Sequence, residues 1–244
     1  GVRSERAISY LPKNSSIEPV IIDYDSDSSL EEALLGTDCV IHLAGILIET
    51  KHSNYASANV GATAAVVEAA MKSGSKNLIF ISVVGADPES KNAYFRSKGA
   101  AEKLIIDSGL GSSILRTPIL FGPSAAGSQA VIGMVSSGQA KLLGGGHYQM
   151  RPLDIDDLSE ALVKLCLNPK GGQSTYELVG PESASYRDII TKTAELMDKT
   201  VTFGSIPIFV AKIGAAVSSI LKGGGITPTV IEVITQDEVV KTNA

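Results

Sequence analysis

Phe80-Ile81-Ser82-Val83-Val84-Gly85-Ala86, followed by Tyr94-Phe95-Arg96-Ser97-Lys98, is the stretch on which the reading of this chain turns. The first part belongs to an apolar run, Asn77 to Val84, rich in Ile, Val and Phe, and reads as a buried strand. The second opens a helix that runs from Tyr94 to Asp107 and closes at Gly109. Tyr94 and Lys98 stand four apart, so a helix puts both side chains on one face, one turn apart. Ser82 lies at the end of the strand just before it. The carboxyl ends of parallel strands are where α/β sheets bind ligands. An ammonium beside a phenol, together with a positively charged nicotinamide ring, favours the phenolate. Tyr94 so placed can pass a proton while hydride moves to or from a cofactor, and Ser82 can orient the substrate oxygen. Taken by itself a Tyr/Lys pair at this spacing is common, and a serine often does no more than end a strand.

Working outward, the same alternation continues. Val20 to Ile22 reads as a short strand before Asp23, and Ser28 to Leu35 as a helix capped by Ser28 or Ser29 and stopped at Gly36. Cys39 to Leu43 is a strand ending in Ala44-Gly45, and Asn54 to Lys72 is a long helix. Downstream, Ser113 to Arg116 is a strand. Gly122 to Gly146 has the composition of loops with one short helix. Asp154 to Leu167 is a helix in which Asp157 and Glu160 fit a capping box. Tyr176 to Val179 is a strand and Tyr186 to Met197 a helix. Short apolar strands alternating with helices give an α/β fold with a parallel sheet covered on both faces.

Other residues invite chemistry and are weighed against plainer roles. The small residues Ala44 and Gly45 let backbone approach a ligand. His42 is mid-strand and reads as a hydrogen-bonded structural histidine. Asp23 can accept hydrogen bonds from an adenine amine or form a turn. Arg3 and Arg6 can clamp a 2′-phosphate, selecting NADP over NAD, or be solvated surface arginines. Asp154, Asp156 and Asp157 suit a helix start better than a metal. Gly144-Gly145-Gly146 and Gly223-Gly224-Gly225 do not match a phosphate loop and read as turns.

The 244 residues, 44% apolar and 19% charged, allow one sizeable domain or one with an appended lobe. A net charge of −5 without a basic run argues against nucleic acid as a partner and leaves a small-molecule substrate. Cys39 and Cys166 sit in apolar runs and read as buried reduced thiols. The stretch Ile206 to Leu221 is interrupted by Lys212 and is shorter than the roughly 20 residues of a membrane span. It reads as a buried or amphipathic helix in preference to a membrane-surface one. The expected location is the cytoplasm, and these features do not fix an oligomeric state.

The chain resembles the extended and atypical short-chain dehydrogenase/reductases, the NAD-dependent epimerase/dehydratase-like group. The pieces that carry this are Asp38-Cys39-Val40-Ile41-His42-Leu43-Ala44-Gly45, Asn59-Val60-Gly61-Ala62-Thr63, the Phe80 to Ala86 run, Tyr94 to Lys98 with Glu102, and Leu115-Arg116-Thr117-Pro118 with Phe121-Gly122-Pro123. Five in this order are specific where each alone is weak. Gly45-Ile46-Leu47-Ile48-Glu49 and Val83-Val84-Gly85-Ala86-Asp87 are similar to the branch containing the 39 kDa accessory subunit of respiratory complex I, and Ser97 to Glu102 supports this.

The resemblance implies a Rossmann-like, doubly wound sheet and a bound NADP or NAD. Tyr94, Lys98 and Ser82 would be catalytic, with Lys98 also holding the nicotinamide ribose. Leu43, Ala44 and Gly45 would line the cofactor by backbone, Thr117 and Pro118 would sit near the carboxamide, and Asn59, Arg3 and Asp23 complete the cofactor set. Residues 1–123 would be a partial NAD(P)-binding domain and 124–244 mostly a substrate lobe, with the 154–167 helix and the 176–179 strand packing back on the sheet. The family opens with a strand and a Gly-x-x-Gly-x-x-Gly turn that this sequence does not contain, so the expectation is a piece of a longer protein, about 30 residues short of a standard unit. Its activity is expected to be NAD(P)-dependent oxidoreductase or epimerase-type chemistry at a hydroxyl or carbonyl. The alternatives are a non-catalytic NADPH-binding accessory subunit of a complex I-like assembly, or a redox-sensing regulator.

Overall fold

Strand β2 (Asn77–Val83) has apolar side chains on both faces, so it must be covered on both sides. A computed structural model, which describes residues 1–24, 26–169, 171–222 and 224–240, places it between β1 (Cys39–His42) and β3 (Ser112–Thr117). A fourth strand, β8 (Gln173–Glu177), lies beyond β3, and all four run parallel.

The strand period of two sorts the core into layers. Leu78, Phe80 and Ile114 face α2 (Asp27–Leu34), α3 (Ala62–Ser73) and α4 (Ala93–Asp107), in a cluster with Leu30, Val66, Val67, Ala101 and Ile105. Ile79 and Leu115 point the other way, onto Leu158 of α6 (Ile155–Leu167) and onto Leu153. This is the α/β, Rossmann-like sandwich that the alternating pattern implies.

The second half builds its own cluster. Helix α5 (Ala126–Ser137), strand β5 (Gln139–Leu143), helix α7 (Tyr186–Leu196) and strand β10 (Thr202–Ile206) bury Val131, Val135, Ala140, Leu142 and Ile190 together. β5 and β10 pair in parallel. Two-residue ladders tie this lobe to the sheet: β4 (Leu120–Phe121) with β7 (Leu153–Asp154), and β6 (Gln149–Met150) with β9 (Ala184–Ser185). The chain continues through α8 (Ile208–Lys222) and α9 (Pro228–Thr235), and a hydrogen bond from Glu238 N to Gln149 O ties the segment after α9 to β6. The remaining helix, α1 (Glu5–Ile8), is a single turn.

Several elements differ from the sequence reading. Val20–Ile22 is not a full strand: Ile21 makes one parallel bridge to Val2 and stays 47% exposed, since it has neither a second partner nor a covered face. The helix expected from Asn54 starts as a π-helical turn, Ala56–Gly61. Gly122 to Gly146 holds a three-turn helix and a strand, because Val131 and Val135 give a core face that Gly and Ser dilute in the composition. The Asp157/Glu160 capping box is also overturned. Asp154 is the cap, its carboxylate accepting from Asp156 N at 2.8 Å, and Glu160 pairs with Lys164. Cys39 and Cys166 are half-buried, their sulfurs 2.8 Å apart between β1 and α6. Burial, with the neighbouring thiol, pushes the Cys39 thiol up to about 12. Helix α8 leaves Phe209, Ile213, Val217 and Ile220 exposed, yet among the described residues no helix is long and apolar enough to cross a membrane.

Helix α4 approaches the loop after β2 so closely that a side chain on Gly99 would land on the backbone of Asp87 and Pro88. Gly99→Ala is expected to cost about 3 kcal/mol in urea unfolding. Gly133→Ala, on an exposed stretch of α5 with open space around the position, should instead gain about 0.5–1 kcal/mol. Equal midpoints for the two variants would contradict this packing.

Candidate active site

Parallel strands deliver their carboxyl ends to one edge. There β1 leads into Leu43–Leu47, β2 ends in Ser82 and Val83, and β3 ends in Thr117 before Pro118. These segments, with Tyr94 and Lys98 from α4, line a cavity of about 210 Å³. Asn92 caps α4, its side chain accepting from Tyr94 N and Phe95 N while its amide donates to Thr229 O and Glu232 Oε2. The helix start that carries Tyr94 is thereby fixed to α9.

Tyr94 lines the cavity, and so does Lys98. Its Nζ donates to the Ile81 carbonyl at 2.8 Å and lies 4.1 Å over the Phe80 ring. Burial pushes the Tyr94 phenol up to about 12, with no opposing pull from the ammonium. The same burial lowers Lys98 to about 8 against the pull of Glu102. That direction keeps the phenol protonated at neutral pH. Among the described residues the Tyr94 hydroxyl has no hydrogen-bond partner and is not a sealed atom.

Ser82 lines the cavity, yet its hydroxyl donates to Glu102 Oε1 at 2.5 Å. Glu102 is buried and also takes two hydrogen bonds from Arg116, 3.0 Å from Nε and 2.6 Å from Nη2. Only the Ser82 lone pairs remain for a substrate. Asn59 is 1% exposed, and its amide is fully committed to Ile46 N, Ile46 O and Ser97 Oγ. It clamps the Leu43–Leu47 loop to α4 and lies one step behind the cavity wall. Thr117 donates to the Ser82 carbonyl. His42 is buried, 3.0 Å from Thr63 Oγ1, and burial with the Lys98 charge drops it to about 4, so it is neutral and structural.

A second cavity of about 430 Å³ adjoins the first, with Ala44 and Gly45 in both walls. Arg3, Asp23, Tyr24 and Ser57 line its far end. The two adjoining cavities, a cationic group at Arg3, bare backbone at Gly45 and the Lys98 ammonium suit a dinucleotide. A Cβ built on Gly45 would lie 3.8 Å from Lys98 Nζ, which shows how near that backbone comes to the site. Arg6 sits on α1 and is exposed.

Sequence reasoning missed the supports. Tyr55 braces the loop through a 2.7 Å bond from its hydroxyl to Leu47 O, with its ring 5.8 Å from that of Tyr94. The Ser82–Glu102–Arg116 chain was half visible, since Glu102 falls four residues after Lys98 on the same helix face. Asn92 was legible as a cap residue two before Tyr94.

A family model described as NAD(P)H-binding matches residues 1–141. The chain is 23% identical over 184 residues to the mitochondrial 40 kDa subunit of NADH-ubiquinone oxidoreductase from Neurospora crassa, covering 75% of this chain and 47% of that protein. An Arabidopsis thaliana relative, subunit 9 of the NADH dehydrogenase [ubiquinone] 1 alpha subcomplex, is 24% identical over 218 residues, 87% of this chain and 54% of its own. The chain thus spans about half the length of these curated relatives. Among solved structures, the Citrobacter sp. triphenylmethane reductase complexed with NADP(H) superposes with a TM-score of 0.75 at 18% identity, over 99% of this chain and 81% of that one. That likeness is one of fold.

The neutral state of His42 sets a pH dependence. Its folded pKa lies below the unfolded value near 6.5, so the unfolded chain binds the extra proton first. The stability it confers is intact above pH 6.5 and is lost as pH falls toward 4, to a total of about 3 kcal/mol. Urea unfolding of the wild type should steepen over this window, and His42→Gln should remove that part of the slope. An unchanged slope in the variant would show that His42 is already charged in the fold.

Proposed function

Because this chain belongs to the NAD(P)H-binding family, we propose that it is the catalytic portion of an NAD(P)-dependent oxidoreductase or epimerase-type enzyme that works on a hydroxyl or carbonyl of a small molecule. One observation supports this most: Tyr94 and Lys98 line one cavity with the carboxyl ends of β2 and β3.

Lys98, the backbone of Leu43–Gly45, Thr117 and Pro118 would hold the nicotinamide end of the cofactor, and Arg3 and Asp23 the adenosine end. The bound cofactor supplies or takes up the hydride. In reduction, the Tyr94 hydroxyl gives its proton to the substrate oxygen as charge develops there. An alkoxide is more basic than even this phenolate, so the transfer runs downhill. Lys98 sits one turn away with a pKa near 8, close enough to neutrality to return a proton to the phenolate oxygen. Ser82 donates to Glu102, so what it offers a substrate is an acceptor, which suits the alcohol form of the substrate in the oxidative direction. The Glu102–Arg116 pair keeps that oxygen in place as a positioning element.

A second reading rests on the likeness to the Neurospora respiratory subunit: the nucleotide is held as a structural ligand, without turnover. NADPH oxidation, followed at its near-ultraviolet absorbance with a panel of ketones and aldehydes, separates the two. Tyr94→Phe should lower kcat by about 10²–10⁴-fold with NADPH affinity nearly unchanged. Lys98→Met should weaken NADPH binding as well. Tight NADPH binding with no oxidation on any carbonyl would favour the structural-ligand reading, and full activity in Tyr94→Phe would refute the proton-transfer role of Tyr94.

A further inference from the structure

Tyr94 belongs to two walls. One faces the cavity it shares with Lys98. The other closes a separate cavity of about 390 Å³ between the sheet edge and the segment after α9. Leu47, Val83 and Pro118 also border both, so the two cavities meet at one wall of which Tyr94 is part.

The lining of this second cavity is hydrocarbon: Val84, Phe95, Ile119, Met150, Val233 and Ile234 form most of it. Its polar rim is Gln236, Asp237 and Glu238. The two carboxylates are already engaged, Asp237 Oδ1 accepting from Gln149 N at 2.7 Å and Glu238 Oε2 from Arg151 N at 2.6 Å. Burial raises the Glu238 carboxyl. Among the described residues no lysine or arginine lines the cavity. The Arg151 guanidinium donates to Pro181 O, Arg116 is held by Glu102 and Glu177, Lys98 by Ile81 O, and Lys212 by Glu232.

A diphosphate in this cavity would bring buried negative charge against two carboxylates with no cation to meet it, an arrangement that costs far more than hydrocarbon contact returns. An apolar tail gains on every surface it touches. We propose that the substrate is an uncharged, apolar ketone or the corresponding alcohol, with its oxygen at Tyr94 and its hydrocarbon along Val84, Met150 and Ile234, and that it is not a nucleoside-diphosphate sugar. This rests on the reading of Tyr94 as proton donor, and only on that part of it.

The test is calorimetric titration of the NADPH-loaded protein with 2-decanone and, separately, with UDP-glucose, alongside NADPH oxidation. The expected result is binding and reduction of 2-decanone and no heat from UDP-glucose. Ile234→Asp and Val239→Asp, both at partly or largely exposed positions that the fold tolerates, should each weaken 2-decanone by about tenfold or more with NADPH affinity unchanged. Binding of UDP-glucose, failure of 2-decanone to bind, or 2-decanone binding that neither variant weakens would overturn the proposal. Binding of 2-decanone without turnover would remove the proton-transfer reading and leave the ligand class of the cavity standing.

Discussion

The parallel register of β1, β2 and β3 is the constraint on which the rest depends. Parallel strands all finish at one edge, so whatever each carries past its last ladder bond is delivered to the same place. Here that places the Leu43–Leu47 loop, Ser82 and Thr117 side by side without any one of them having to reach. Antiparallel pairing of the same strands would scatter them to opposite ends. Helix α4 then has to lie across that edge, and it does so at a distance only Gly99 permits, with Asn92 holding its first turn to α9.

Burial at this edge sets the protonation states more strongly than pairing does. Tyr94 goes up, Lys98 and His42 go down, and in each case desolvation is the largest cause. A buried ammonium survives only with hydrogen-bond acceptors and favourable fields around it. Lys98 finds the Ile81 carbonyl, the face of Phe80 and, further off, the Glu102 charge. The cost is visible next door, since the same ammonium helps keep His42 neutral. Glu102 in turn is balanced by Arg116, which arrives from β3. The site is thus a short relay of compensated charges, and removing one member would leave its neighbour buried and unpaired.

The sheet, the alternation and the edge were legible in the sequence because burial on both faces leaves continuous apolar runs, as in Asn77–Val83, and because Tyr94 and Lys98 have helical spacing. Two things were not. Side-chain commitments depend on which neighbour is nearer: Ser82 turned to Glu102 and Lys98 to Ile81, choices made by residues 20 and 17 positions away. The α5–β5 segment hid because Gly and Ser outnumber the few residues, Val131, Val135, Ala140 and Leu142, that its burial requires. Asn59 was found by resemblance, but the structure shows it as a clamp between loop and helix, a role that needs three hydrogen bonds, to Ile46 and Ser97, that no linear pattern displays.

The division of labour around Tyr94 follows from the same geometry. Its phenol has one neighbour region floored by an ammonium and backbone amides and another walled by Val84, Phe95 and Ile234. A phenol at such a boundary is held protonated by the apolar side. An apolar wall therefore keeps the phenol from ionising and at the same time offers a hydrocarbon surface beside it. A wall rich in cations, built to grip a diphosphate, would lower the phenol's pKa and change the state in which Tyr94 rests. The raised pKa and the hydrocarbon lining are in that sense one property of the fold, set by where α9 and its trailing segment close over the edge of the sheet.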